Sequence, residues 1–170
     1  QAAPAEAADD GRMAVALIGC GGMGTNHLRL LSQRKDVRVA YVCDADANRL
    51  AAAAKLVETS GNGVPQATGD LRKVLADPLV KAVWIATPDH WHTPAALLAC
   101  AAKKHVYVEK PVSHNVREGR LLLEAARKHK VVVQVGTQAR STQHVIQAIE
   151  YLRAGTIGDV LVSKAWNSQK

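Results

Sequence analysis

Short apolar runs alternate along the chain with longer stretches in which apolar positions recur every three or four residues. The runs cover 14–18, 37–43, 82–86, 105–108 and 131–135. Each is too short for a helix, and most are rich in β-branched residues, so each predicts a buried strand. Between them the helical period predicts a helix over 22–34, with Met23, His27, Leu30 and Leu31 on one stripe. Asp46 caps a second helix whose buried face carries Leu50, Ala54 and Val57. The stretch 60–69, rich in Gly, Asn and Pro, predicts loop with one short strand, and a brief helix follows over 71–75. Thr93 with Pro94 after it reads as a helix start running to Lys103. Asn115 with Glu118 three residues on forms a capping box for a helix that reaches Lys130. Ser141 opens a last helix bearing Val145, Ile149 and Leu152, and 159–166 reads as a final strand. Strands separated by helices require parallel pairing through right-handed crossovers, so the fold class is α/β, a doubly wound parallel sheet.

Composition changes this picture little. Hydrophobic residues make up 48% of the 170, charged residues 22%, and there is no Phe, so the core must be built from Val, Leu, Ile and Ala. The net charge of +7 comes from Lys and Arg scattered over many predicted helices, without a basic block interleaved with aromatics. That pattern argues for solvated helix faces rather than nucleic-acid binding, and a basic surface can attract an anionic cofactor. Three scattered cysteines, Cys20, Cys43 and Cys100, offer neither a disulfide framework nor metal-ligand spacing. No apolar stretch approaches the roughly 18 residues of a membrane span. Residues 1–12 read as a flexible tail. Its Ala-rich start without Met fits removal of an export signal, hence a periplasmic location, with a cytoplasmic one as the alternative.

Four motifs sit at predicted strand ends. The first is Gly19-Cys20-Gly21-Gly22-Met23-Gly24, a GxGxxG that follows a strand and opens a helix, with Asp44 lying 20 residues beyond Gly24 at the end of the next strand. That is a dinucleotide fingerprint: Gly19 for the tight turn, Gly21 for close approach of the pyrophosphate, Gly24 for helix–strand packing. Asp44 can accept hydrogen bonds from the adenosine ribose and repel a 2′-phosphate, and Ala45 beside it supplies no cation, which favours NAD over NADP. Glycines that only relieve sterics, or a flavin or methyl-donor cofactor, share part of this pattern. The second motif is Thr87-Pro88-Asp89-His90-Trp91-His92, well placed to line a ligand outside the strand ends. His90 and His92 could also be a metal pair, though no further ligands complete it, or incidental histidines of a helix-entry loop. The third is Glu109-Lys110-Pro111, where burial beside a nicotinamide would lower the lysine pKa toward acid–base work; a surface lysine is the alternative. The fourth, Gly136-Thr137-Gln138-Ala139-Arg140, brings amide and cationic donors to the same rim, or is a polar connection.

In this order the motifs resemble the glucose–fructose oxidoreductase / inositol dehydrogenase / MocA family over about residues 13–168. The resemblance implies a dinucleotide-binding Rossmann domain over 13–153 and, at 154–170, the start of a second α/β substrate domain. It implies cofactor contacts from Gly19, Cys20, Gly21, Gly22, Met23, Gly24, Asp44, Thr87, Pro88, His92, Glu109, Lys110 and Gln138. Lys110 would be the catalytic lysine, with His92 the second catalytic candidate and no metal involved. The implied reaction is hydride transfer between nicotinamide and a sugar, glycoside or cyclitol carbon, in a protein that forms homo-oligomers when complete. A non-catalytic NAD-binding module or an assembly partner is the alternative.

Overall fold

The computed structural model describes residues 10–166. Contacts divide the chain into two units, 1–136 and 137–170, and the last predicted helix falls in the second.

The first unit holds six strands: β1 (Met13–Ile18), β2 (Val37–Cys43), β3 (Gln66–Thr68), β4 (Ala82–Ile85), β5 (His105–Glu109) and β6 (Val133–Gly136). Five helices connect them: α1 (Gly22–Ser32), α2 (Ala47–Thr59), α3 (Leu71–Ala76), α4 (His92–Ala101) and α5 (Val116–His129). All pairings are parallel, in the order β3-β2-β1-β4-β5-β6. Chain order therefore reverses between β1 and β4, where the carboxyl ends open a crevice.

Alternation along β1 splits the core in two. Ala14, Ala16 and Ile18 face one side, with Val83, Ile85, Val106 and Val108, against Ala95, Ala96, Ala99 and Cys100 of α4. Val15 and Leu17 face the other side, with Leu28 and Leu31 of α1 and Ala53 and Val57 of α2. Small residues on α4 replace the missing Phe by letting the helix lie close to the sheet. No helix among the described residues is long and apolar enough to cross a membrane.

Several expectations shift. The buried stripe of α1 is Gly24, His27, Leu28 and Leu31, while Met23 and Leu30 are 46% and 65% exposed. A spacing of three, four and seven from Gly24 keeps one face on the sheet, and the glycine itself is part of that face. Helix α4 begins at His92, because Asp89–Trp91 form a 3-10 turn that leads into it. Thr93 is thus inside the first turn, and its hydroxyl donates to the Val112 carbonyl at 3.0 Å instead of capping. Strand β6 starts two residues later than expected.

In the second unit, α6 (Gln143–Arg153) follows Thr142, and Ser141 belongs to a preceding 3-10 turn. The segment 159–166 forms no strand. It pairs with no other described strand, and an unpaired segment has no ladder to join.

Candidate functional site

A cavity of about 730 Å³ lies in the first unit at the carboxyl ends of β1, β2, β4 and β5. Its lining brings together Gly19, Gly21 and Met23, Asp44, Thr87 and Pro88, and Glu109 and Lys110. Four separate stretches of sequence thus meet at the reversal of strand order, where ligands of such sheets bind.

The glycine loop has a distinct reason at each end. Gly19 sits at φ +94°, and a Cβ there would lie 2.6 Å from the Ala86 carbonyl carbon and oxygen. Gly24 faces the Gly19 carbonyl so closely that any side chain would collide with it, and Leu17 Cδ2 stands 3.3 Å from the same position. These two close the turn against β4 and seat α1 on β1. Gly22, by contrast, faces open space, and a Cβ on Gly21 would meet only Arg49 Nη1, at 3.8 Å. The first turn of α1 carries neither a capping side chain nor an acidic residue. Its free N–H groups and the positive end of the helix dipole are therefore available to phosphate.

Asp44 is locked by its backbone neighbours. One carboxylate oxygen accepts the Cys20 N–H at 2.6 Å and the other the Asp46 N–H at 2.8 Å. Cys20 thus contributes its amide, while its buried thiol points toward the Cys43 carbonyl at 3.7 Å. Burial, with help from Asp44 and Cys43, pushes that thiol up to about 12, and burial likewise raises Cys43 to about 11.

His92 differs from its expected role. The ring is 1% exposed, with Nδ1 2.7 Å from the Pro111 carbonyl and Nε2 2.8 Å from the Thr87 carbonyl. Both nitrogens are committed to backbone, so the ring presents none to a substrate or, with His90, to a metal. It ties the loop after β4 to the turn after β5, and Thr93 adds a second tie to Val112. Lys110 lines the cavity with its side chain exposed, ahead of a cis bond to Pro111. Glu109 beside it is 3% exposed, and one carboxylate oxygen accepts the Lys110 N–H at 3.2 Å. Gln138 lies in the second unit.

Two residues escaped the sequence reading. Arg49 lines the cavity, held toward Asp46 at 3.8 Å, and brings to the acidic side of the site the cation that Ala45 lacks. Its position five residues past Asp44, in the first turn of the following helix, was a usable signal. His27 reaches Glu109 from α1, a contact no local pattern encodes.

Glycine loop, open helix N-terminus, fixed acid and strand-end crevice define a dinucleotide-binding Rossmann domain. The model of the Gfo/Idh/MocA family, described as an oxidoreductase family with an NAD-binding Rossmann fold, matches residues 13–137, and the chain belongs to that family. It is 32% identical over 142 residues to an uncharacterized oxidoreductase, YrbE, of Bacillus subtilis, covering 84% of this chain and 40% of the relative. It is 32% identical over 161 residues to the inositol 2-dehydrogenase of Rubrobacter xylanophilus, covering 94% and 45%. A crystal structure of an NAD-binding oxidoreductase from Klebsiella pneumoniae superposes with a TM-score of 0.72 at 31% identity, covering 86% of this chain and 40% of that one. The chain thus spans less than half the length of these relatives.

Proposed function

We propose that this chain is the cofactor half of an NAD-dependent oxidoreductase that oxidises a secondary hydroxyl of a sugar, glycoside or cyclitol, or runs the reverse reduction. The observation that carries the reading is the single cavity joining the α1 N-terminus, Asp44 and the Glu109-Lys110 strand end. Thr87 Oγ1 supports it: this hydroxyl is buried without a hydrogen-bond partner in the protein and belongs to a residue that lines the same cavity. The substrate class rests on relatives named as inositol 2-dehydrogenases.

The residues divide the work along the cofactor. Gly21, Gly22 and Met23 offer backbone N–H groups to the pyrophosphate. Asp44 accepts from the adenosine ribose hydroxyls. Thr87, Pro88 and Glu109 hold the nicotinamide half. NAD⁺ held there would supply the hydride acceptor for the carbinol carbon, the balance being alcohol and NAD⁺ to ketone, NADH and one proton. Once cofactor and substrate cover it, the Lys110 ε-amine would be the acid–base group for that hydroxyl proton. His92 acts only through the backbone of Thr87 and Pro111.

NAD is preferred to NADP on this reading. The Asp44 carboxylate is held by two N–H donors and cannot turn away from a 2′-phosphate. Arg49 pulls the other way, but its guanidinium is solvent-exposed and shared with Asp46, so screening weakens its share. In the complete enzyme, Lys110→Ala should abolish NADH formation from cyclitols while leaving NADH affinity within about twofold of wild type. Turnover that survives the change would remove Lys110 from the mechanism.

A further inference from the structure

Glu109 and Lys110 are adjacent in sequence and line the same cavity, the first almost fully buried and the second exposed. What fixes the buried one is a residue from the far side of the sheet reversal. His27 Nε2 stands 2.7 Å from Glu109 Oε1, and the two residues are 8% and 3% exposed. In a histidine–carboxylate hydrogen bond of this kind the ring N–H donates and the carboxylate oxygen accepts.

The surroundings leave the carboxylate little freedom. Tyr107 meets the His27 ring edge-on, with centroids 5.2 Å apart, and Trp84 stacks on Tyr107 at 5.7 Å. From the third side, a Cβ on Gly136 would come within 3.0 Å of Glu109 Oε1 and 2.7 Å of the Tyr107 hydroxyl, so β6 is bare where it passes the pair. The other oxygen, Oε2, accepts the Lys110 N–H. Helix α1 therefore has two ends with two tasks: its N-terminus faces the phosphates, and its second turn grips the acid of the opposite strand end.

We propose that His27 is a positioning residue for the nicotinamide half of the cofactor, acting through this one buried hydrogen bond on the Glu109 carboxylate beside Lys110. The inference rests on the cofactor reading above. His27 itself is not among the residues that line the cavity. Without it, Glu109 keeps its place in sequence but loses the contact on Oε1 that comes from α1.

The test is calorimetric titration of the chain with NADH and with ADP. ADP carries the adenosine and diphosphate but no nicotinamide, so it engages Asp44 and the α1 N-terminus alone. His27→Leu should weaken NADH about tenfold, or about 1.4 kcal/mol, and leave ADP within about twofold. His27→Gln, which keeps an N–H donor, should restore NADH affinity to within about threefold. Should the leucine variant fail to fold, Gly136→Ala displaces the same carboxylate from β6 and must give the same split between the two ligands. Equal weakening of NADH and ADP would mean that His27 merely supports α1, and would overturn the inference. Unchanged NADH affinity in a folded variant would overturn it too. A wild-type chain that binds neither ligand would instead remove the cofactor reading, and this inference with it.

Discussion

Replacing His92 by alanine removes the tie between two strand ends, and the cost can be worked from the structure. The ring is 1% exposed, so its deletion leaves a cavity that water enters poorly. Large-to-small changes at such sites cost about 2–5 kcal/mol. The ring also gives up its contacts to the Pro111 and Thr87 carbonyls, at 2.7 and 2.8 Å. Leaving a buried carbonyl without a partner adds about 1–3 kcal/mol where water does not replace the ring. Partial collapse of the site offsets some of this, so a loss of about 3–6 kcal/mol is expected. Against a total of about 5–15 kcal/mol, that is a large share. Urea denaturation monitored by circular dichroism measures it, and NADH titration of the still-folded fraction should show weaker binding, because Thr87 and Lys110 lose their common tether. A loss under about 1 kcal/mol with unchanged NADH affinity would refute the structural role assigned to the ring.

The remaining predictions concern the glycine loop and the buried thiols. Gly24→Ala should destabilise the fold by more than about 2 kcal/mol in the same denaturation assay, since its Cβ would meet the Gly19 carbonyl and Leu17. Gly22→Ala, at the same loop but facing open space, should stay within about 0.5 kcal/mol. Equal effects of the two would deny that α1 is seated by Gly24. Burial raises the Cys20 and Cys43 thiols in the folded chain to about 12 and about 11, above the ordinary thiol value of 9.0. Folding therefore holds protons that the unfolded chain releases, so their contribution is intact below pH 9 and is lost as pH rises toward those values. Tyr41, raised to about 12 mainly by burial and by its bond to Asp77, adds to the same alkaline loss. Stability measured at stepwise alkaline pH should fall less steeply in Cys43→Ala, and a thiol reagent at pH 8 should label none of the cysteines until the chain unfolds.

Local chemistry was legible where it acts over a few residues. The β-branched run at 37–43 and the Asp46 cap appear as read, and Asp46 accepts from Asn48 N and Arg49 N. Asn115 likewise caps α5, although Glu118 reaches back to the His114 N–H rather than to that of the cap residue. The glycine fingerprint was legible because each spacing encodes a steric demand, and the demands of Gly19 and Gly24 are met by named atoms. What failed to show was whatever depends on a distant partner. Thr93 reads as a cap until Val112 claims its hydroxyl. His92 reads as a reactive histidine until two carbonyls surround it. The pattern at 159–166 reads as a strand, yet a strand exists only with a neighbour to pair with. Arg49 was missed because attention stopped at the residue next to Asp44, whereas a helical turn brings the cation back to the same site.

The nicotinamide dinucleotide site proposed for the first unit would be selective through Asp44. Trp91 lines the cavity at 47% exposure, and half-buried Trp84 stacks on Tyr107 behind it, so both tryptophans can report on a bound nicotinamide. Titrating the folded chain with NADH and with NADPH, following tryptophan fluorescence, tests the claim directly. Saturable quenching by NADH, with NADPH at least about tenfold weaker, is the expected result. Equal affinity for the two would contradict the role given to Asp44, and no quenching by either would contradict the site itself.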